Sequence, residues 1–218
     1  MLQEELKLQN NDDAPLLFWP SRLDPIQKGC QLFADILLEI LAAYQQQCLQ
    51  VVFISSGPYR NKIAEIIHSY NLEDRVALCD FDRRLASIAY AAADFILMPS
   101  SYEPCGLPQM IAQKYGALPI VRATGGLKDT VRHIDHFNDT GNGFVFEHFD
   151  NIGLRWAIDQ AMEFYMLPFS KKRDVIQRTM RDAAINYNQS VTTQNYVKIY
   201  EQLVDGPVLD PTFEFVED

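Results

Sequence analysis

The sequence predicts an α/β domain, a Rossmann-like parallel sheet sandwiched by helices, and three observations predict it. Short apolar runs alternate with longer stretches of helical spacing along almost the whole chain. One run, Asp94–Met98 (DFILM), is nearly continuous in its apolar character, as expected of a central parallel strand covered on both faces. The composition, 48% hydrophobic and 22% charged over 218 residues, supplies the core of one domain and excludes a disordered chain or a disulfide-stapled miniprotein.

The elements follow in order. Leu16–Pro20 (LLFWP) reads as the first strand, and Gln27–Gln47 as a helix with Leu32, Ile36, Leu37, Ile40, Leu41 and Tyr44 at helical spacing. Leu49–Ile54 is a buried strand that runs into the turn Ser55-Ser56-Gly57-Pro58 and a helix over Tyr59–Tyr70. Arg75–Leu78 is a brief strand and Arg83–Ala92 an alanine-rich helix. After Asp94–Met98, a helix over Leu107–Tyr115 stops at Gly116, a C-terminal cap. Leu118–Val121 is a strand, Gly125–His133 a helix and Gly143–Phe146 a last short strand. From Asp150 the pattern is helical, with a break at Pro168–Ser170 and a final helix over Val191–Val204. The organisation is a lead-in (1–14), the domain (15–204) and a tail (205–218), with both ends expected to be flexible.

The net charge is −10, but residues 205–218 contribute −5 and residues 1–13 contribute −3, which leaves −2 for the body. This balance excludes a general nucleic-acid or anionic-membrane binder, because neutralising phosphates requires surplus cations. Cys30, Cys48, Cys79 and Cys105 form no CxxC pair, which favours a reduced, cytoplasmic setting. No apolar run approaches a membrane span, and the start of the chain is unlike a signal peptide. The tail mixes its acids with Val208, Leu209, Phe213, Phe215 and Val216, the pattern of a segment that docks.

Ligands of open parallel sheets bind beyond the carboxyl ends of the strands. Three segments occupy such positions: Ser21–Gly29 (SRLDPIQKG), Ser100–Leu107 (SSYEPCGL) and Thr124–Leu127 (TGGL). Arg22 and Lys28 have the chemistry to grip a diphosphate, one by a planar fork and the other as a point charge. As isolated residues they also read as solvated surface cations. Glu103 is suited to accept hydrogen bonds from sugar hydroxyls, or to cap a helix. Thr124-Gly125-Gly126 offers N–H groups and a hydroxyl to a phosphate, or forms a plain packing turn. His133 and His136, three apart, could share a helical face, but no further ligands complete a metal set. Trp19 and Trp156 read as packing residues, and Tyr102 either as packing or as a sugar-stacking ring.

The run PSSYEPCGLPQMIAQKYGALPIVRATGGLKDTV, with SRLDPIQKG upstream, closely resembles the C-terminal domain of bacterial glycogen synthases and plant starch synthases. The likeness covers nearly the whole chain, including Leu2-Gln3 and Asp13–Leu16. It implies one half of a two-domain GT-B fold. The implied activity is metal-free transfer of glucose, with retention, from ADP-glucose or UDP-glucose to the non-reducing end of an α-1,4-glucan. It further implies that Arg22 and Lys28 bind the diphosphate, and that Glu103 fixes hydroxyls of the glucose. Cys105, Gly106 and Leu107 would present backbone N–H groups to the same sugar. Thr124 and Gly125 would hold the distal phosphate, with Gly126 shaping the turn.

Two departures accompany the resemblance. Many related glycosyltransferases carry a second Glu where this chain has Ile111, a difference shared with glycogen synthases, and Gly57 stands alone where relatives show a glycine pair. The Lys-x-Gly-Gly-Leu motif that opens the other domain of whole synthases is absent, so the chain is expected to be half an enzyme, inactive alone and lacking its amino-terminal partner. Its expected location is the cytoplasm, or a plastid in a plant. Two alternatives stand: a GT-B enzyme with another donor or acceptor, and a noncatalytic nucleotide- or glucan-binding module.

Overall fold

The computed structural model describes residues 1–135 and 138–209. His136 and the tail residues Phe213, Phe215 and Val216 lie outside the described residues. The strands β1 (Leu16–Trp19), β2 (Gln50–Ile54), β3 (Val76–Cys79), β4 (Phe95–Met98), β5 (Leu118–Arg122) and β6 (Phe144–Phe146) form one sheet. Their order is β3-β2-β1-β4-β5-β6, with every neighbouring pair parallel. The predicted fold class is thus the observed one.

Alternation along the strands builds two cores. Leu17, Trp19, Val51, Phe53, Phe95 and Leu97 face one side, with Phe33, Leu37 and Ile40 of α2 (Cys30–Ala43), Ile63 of α3 (Arg60–Ser69) and Ile158 of α7 (Asn151–Tyr165). Leu16, Phe18, Val52, Ile54, Ile96 and Met98 face the other side. There they meet Leu2 of α1 (Leu2–Glu5), Leu85 and Ala89 of α4 (Arg83–Ala92), Ala112 of α5 (Pro108–Tyr115) and Leu127 of α6 (Gly125–Thr130). This two-sided burial explains why the strands are almost wholly apolar. Trp19 is 1% exposed, as expected of a packing residue. The last two helices are α8 (Phe169–Asn186) and α9 (Gln189–Val204). Among the described residues, no helix is long and apolar enough to cross a membrane.

Three expectations are corrected. The first long helix begins at Cys30 rather than Gln27, because Gly29 adopts a left-handed φ of 72°. α6 ends at Thr130, short of His133. Asn142 intervenes there: its Oδ1 accepts the Arg132 N–H (2.7 Å), and its own N–H donates to the Arg132 carbonyl (2.9 Å). The lead-in, expected to be flexible, is docked. Leu2 and Leu8 are buried, Gln3 bonds to Gln50 (3.0 Å), and Glu5 pairs with Arg84.

The sheet places a crevice. Successive connections run outward from β1 through β2 to β3, and outward from β4 through β5 to β6. The loops leaving the central neighbours β1 and β4 therefore diverge at their carboxyl ends, the topological switch point where such folds bind ligands.

At the opposite pole, Asp94 accepts the Leu16 N–H (2.9 Å) and stitches β4 to β1. Burial pushes its carboxyl up from 3.8 to about 6, with the Leu16 bond and the Lys172 charge pulling less strongly the other way. The proton is thus held more tightly in the folded protein than in the unfolded chain. This group's contribution to stability is complete below about pH 3.8 and is lost as pH rises through about 6. The span corresponds to about 3 kcal/mol. Asp94→Asn, which keeps an oxygen for Leu16, is expected to raise stability at neutral pH and to flatten the slope across this window in denaturant unfolding. An unchanged profile would contradict the assignment.

Candidate active site

The loop after β1 is shaped by Asp24, whose Oδ1 accepts the Ile26 and Gln27 N–H groups at 2.9 Å each. The Gln27 bond is the foremost cause holding this carboxyl below its ordinary value. The Lys28 N–H closes the turn on the Asp24 carbonyl (2.9 Å). Gly29 then brings the start of α2 against the end of β4, where a Cβ would stand 2.3 Å from the Pro99 carbonyl oxygen.

This approach delivers Lys28 to Glu103. Its Nζ lies 2.5 Å from Glu103 Oε2, with the side chains 13% and 10% exposed. Ser100 Oγ donates to the same oxygen (3.2 Å), while Oε1 has no hydrogen-bond partner among the described residues. The Glu103 carbonyl accepts the Gly126 N–H (2.9 Å), so one residue touches both other motifs. Only glycine fits at 126, since a Cβ would fall 1.9 Å from the Cys105 carbonyl oxygen. The Ser101 N–H bonds to the Gln27 carbonyl (2.8 Å) and its hydroxyl to that of Ile26 (2.6 Å), fastening the β4 loop to the β1 loop.

The expected residues therefore gather on one rim. Arg22 is exposed and donates to Gln27 Oε1 (3.3 Å), and among the described residues it makes no bond to the Lys28–Glu103 pair. Cys105 and Leu107 are exposed, and among the described residues the N–H groups of Cys105, Gly106, Leu107 and Gly125 meet no protein acceptor. Thr124 is the N-cap of α6, and its side chain makes no cap bond. Gly57 packs on the same rim: the Leu23 N–H bonds to the Ser56 carbonyl and the Tyr59 N–H to the Leu23 carbonyl. Tyr102 is 54% exposed.

Sequence reasoning missed the residues that hold this rim in shape. Gln109 is fully buried, and its Nε2 reaches the Cys105 carbonyl (3.2 Å), the Gly106 carbonyl (2.8 Å) and Thr130 Oγ1 (3.1 Å). Arg122, at the end of β5, reaches the Ser100 carbonyl (2.9 Å) and lies over Phe149. A cation closing an apolar strand was the available signal for Arg122, whereas a polar residue one position into α5 gave none for Gln109.

Of the histidine pair, His133 is described and does not stand on a helix. It lies outside α6, accepts the Val145 N–H on Nδ1 (3.1 Å) and stacks on the half-exposed Trp156. Among the described residues no cluster could hold a metal ion. A separate cavity of about 420 Å³ between α6 and α8, lined by Asp129, Arg132, Asn142, Arg178 and Asp182, contains none of the expected residues.

Residues 3–181 match the family model of glycosyl transferases group 1. Over 205 residues the chain is 38% identical to the glycogen synthase of Desulfitobacterium hafniense, covering 93% of this chain and 42% of that protein. It is 37% identical to that of Bacillus subtilis, covering 93% and 40%. The catalytic domain of starch synthase IV from Arabidopsis thaliana, bound to ADP and acarbose, superposes with a TM-score of 0.79 at 30% identity, covering 94% and 41%. The C-terminal domain of a group 1 glycosyl transferase protein from Francisella tularensis shares the fold, with a TM-score of 0.67 at 15% identity, covering 86% and 92%. The chain thus spans about two-fifths of the length of the glycogen synthases it matches.

The buried pair sets an expectation for stability. Lys28→Met leaves the Glu103 carboxylate buried without its counter-charge and is expected to cost about 3 kcal/mol in denaturant unfolding. The double variant Lys28→Met/Glu103→Gln is expected to recover most of that loss. A double variant as unstable as the single would contradict the pair's role.

Proposed function

The chain belongs to the group 1 glycosyl transferases, and from that premise we propose that it is the nucleotide-sugar-binding half of a glucan synthase of the glycogen or starch type. The observation that carries this reading is Glu103. Its carboxylate takes Lys28 and its carbonyl takes the Gly126 N–H, so a carboxylate, a cation and a glycine turn at a helix start share one centre, a set suited to a nucleotide sugar. The donor is ADP-glucose, a choice favoured by the ADP bound to the starch synthase relative, with UDP-glucose the alternative. The acceptor is the non-reducing end of an α-1,4-glucan.

In this reading, Arg22 and Lys28 bind the diphosphate and stabilise the charge that grows on it as the glycosidic bond breaks. Glu103 keeps Oε1 for glucose hydroxyls, while Oε2 stays on Lys28 and Ser100. The N–H groups of Cys105, Gly106 and Leu107 face the sugar, and Thr124 with Gly125 takes the distal phosphate. Such a centre works by positioning and preorganised charge around an oxocarbenium-like carbon, with retention and without a metal.

Catalysis requires a second domain that supplies the acceptor site. The share of the relatives' length covered supports this. So does α9, which has no buried residue and exposes Tyr196, Ile199, Tyr200 and Leu203 along one side. The proposed location is the cytoplasm, or a plastid in a plant.

Calorimetry of the isolated chain is expected to show ADP and ADP-glucose binding that weakens about tenfold in Arg22→Gln, the loss of one charge-assisted contact. No glucan elongation is expected from the chain alone. Absence of binding at millimolar nucleotide would sink the donor site, and robust elongation would sink the half-enzyme reading.

A further inference from the structure

We propose that Arg122 is a positioning residue, whose guanidinium holds the peptide segment that carries Glu103 and so sets where the sugar-binding carboxylate stands. The inference deepens the donor-site reading and rests on it. β4 and β5 are last paired at Met98 and Val121, so β5 runs one residue past its neighbour. Arg122 still pairs with Phe146 of β6 on one side. On the other side the chain has left the sheet, and the carbonyls of Ser100 and Ser101 face no strand.

The Arg122 side chain fills that place. Its Nε donates to the Ser100 carbonyl (2.9 Å), one Nη to the Ser101 carbonyl and the other to the Glu147 carbonyl (3.4 Å). The guanidinium carbon stands 5.6 Å from the centre of the Phe149 ring. Phe149 in turn lies against Gly29, next to Lys28. Ser100 is fully buried, so its carbonyl requires a donor that water cannot supply.

What Arg122 grips passes directly to the site. Ser100 Oγ donates to Glu103 Oε2, and Ser101 bonds to the carbonyls of Ile26 and Gln27, immediately before Lys28. One side chain thus fixes the carboxylate partner of the ion pair through Ser100, while Lys28 is held separately by the Asp24 turn and the approach of Gly29 to Pro99. All three of its acceptors are neutral carbonyl oxygens arranged around a planar fork, a geometry that a lysine ammonium meets only in part.

The test is calorimetric titration of the 218-residue chain with ADP-glucose and with ADP, together with amide hydrogen exchange. Arg122→Met is expected to weaken ADP-glucose about tenfold and ADP less than about twofold. Exchange at Ser101 and Gly126 is expected to speed up, while the β1 and β2 amides stay unchanged. Arg122→Lys is expected to restore part of the loss. Equal weakening of both ligands would overturn the proposal by making Arg122 a phosphate ligand, and so would an unchanged affinity for ADP-glucose. If the unmodified chain bound neither ligand, the donor-site reading would fall first. Exchange at Ser101 and Gly126 would then decide alone, with unchanged rates overturning the positioning role.

Discussion

The interaction on which the rest of the site depends is the contact of Lys28 with Glu103. Each charge is largely withdrawn from water, and removing one leaves the other buried without its counter-charge. Holding them together requires that β1 and β4 be neighbours, that Gly29 let α2 approach Pro99, and that Ser100 supply a further bond to the carboxylate. The main chain of Glu103 is then pinned by Gly126, which draws the loop after β5 into the same centre. The sheet order is thus the physical precondition of the site, because its reversal at β1 and β4 opens the space these loops close.

This arrangement explains a division of labour among the polar groups. One oxygen of Glu103 is committed to the protein, and the other has no hydrogen-bond partner among the described residues. The N–H groups at 105–107 and at 125 likewise meet no protein acceptor among the described residues. A site that keeps some donors and acceptors in reserve, on loops braced by Gln109 and Arg122, is preorganised for a polar ligand at little reorganisation cost. The opposite end of the sheet joins elements instead. There Asp94 ties β4 to β1, and the lead-in covers α4.

The fold was legible because two-sided burial makes each strand an apolar run, and because turn residues separate the runs from helices of ordinary spacing. The ends of the elements were less so. α6 stops at Thr130 because Asn142, distant in sequence, captures Arg132, and no local signal carries that bond. The three loops of the site were legible from their place after strands. Their pairing was not: Lys28 and Glu103 are 75 residues apart, and only the sheet order brings them together. Arg122 showed only as a cation closing an apolar strand, and neither it nor Gln109 revealed its partners, because most of these are main-chain carbonyls, which every residue possesses.

The most direct test of the donor site is a map of amide chemical shifts as ADP-glucose is titrated into the labelled chain. Shifts confined to residues 22–29, 100–107 and 124–126, saturating together, are the result that a single centre around Glu103 requires. Shifts gathered instead around Arg132, Asn142 and Arg178 in the cavity between α6 and α8, with those three segments silent, would contradict it.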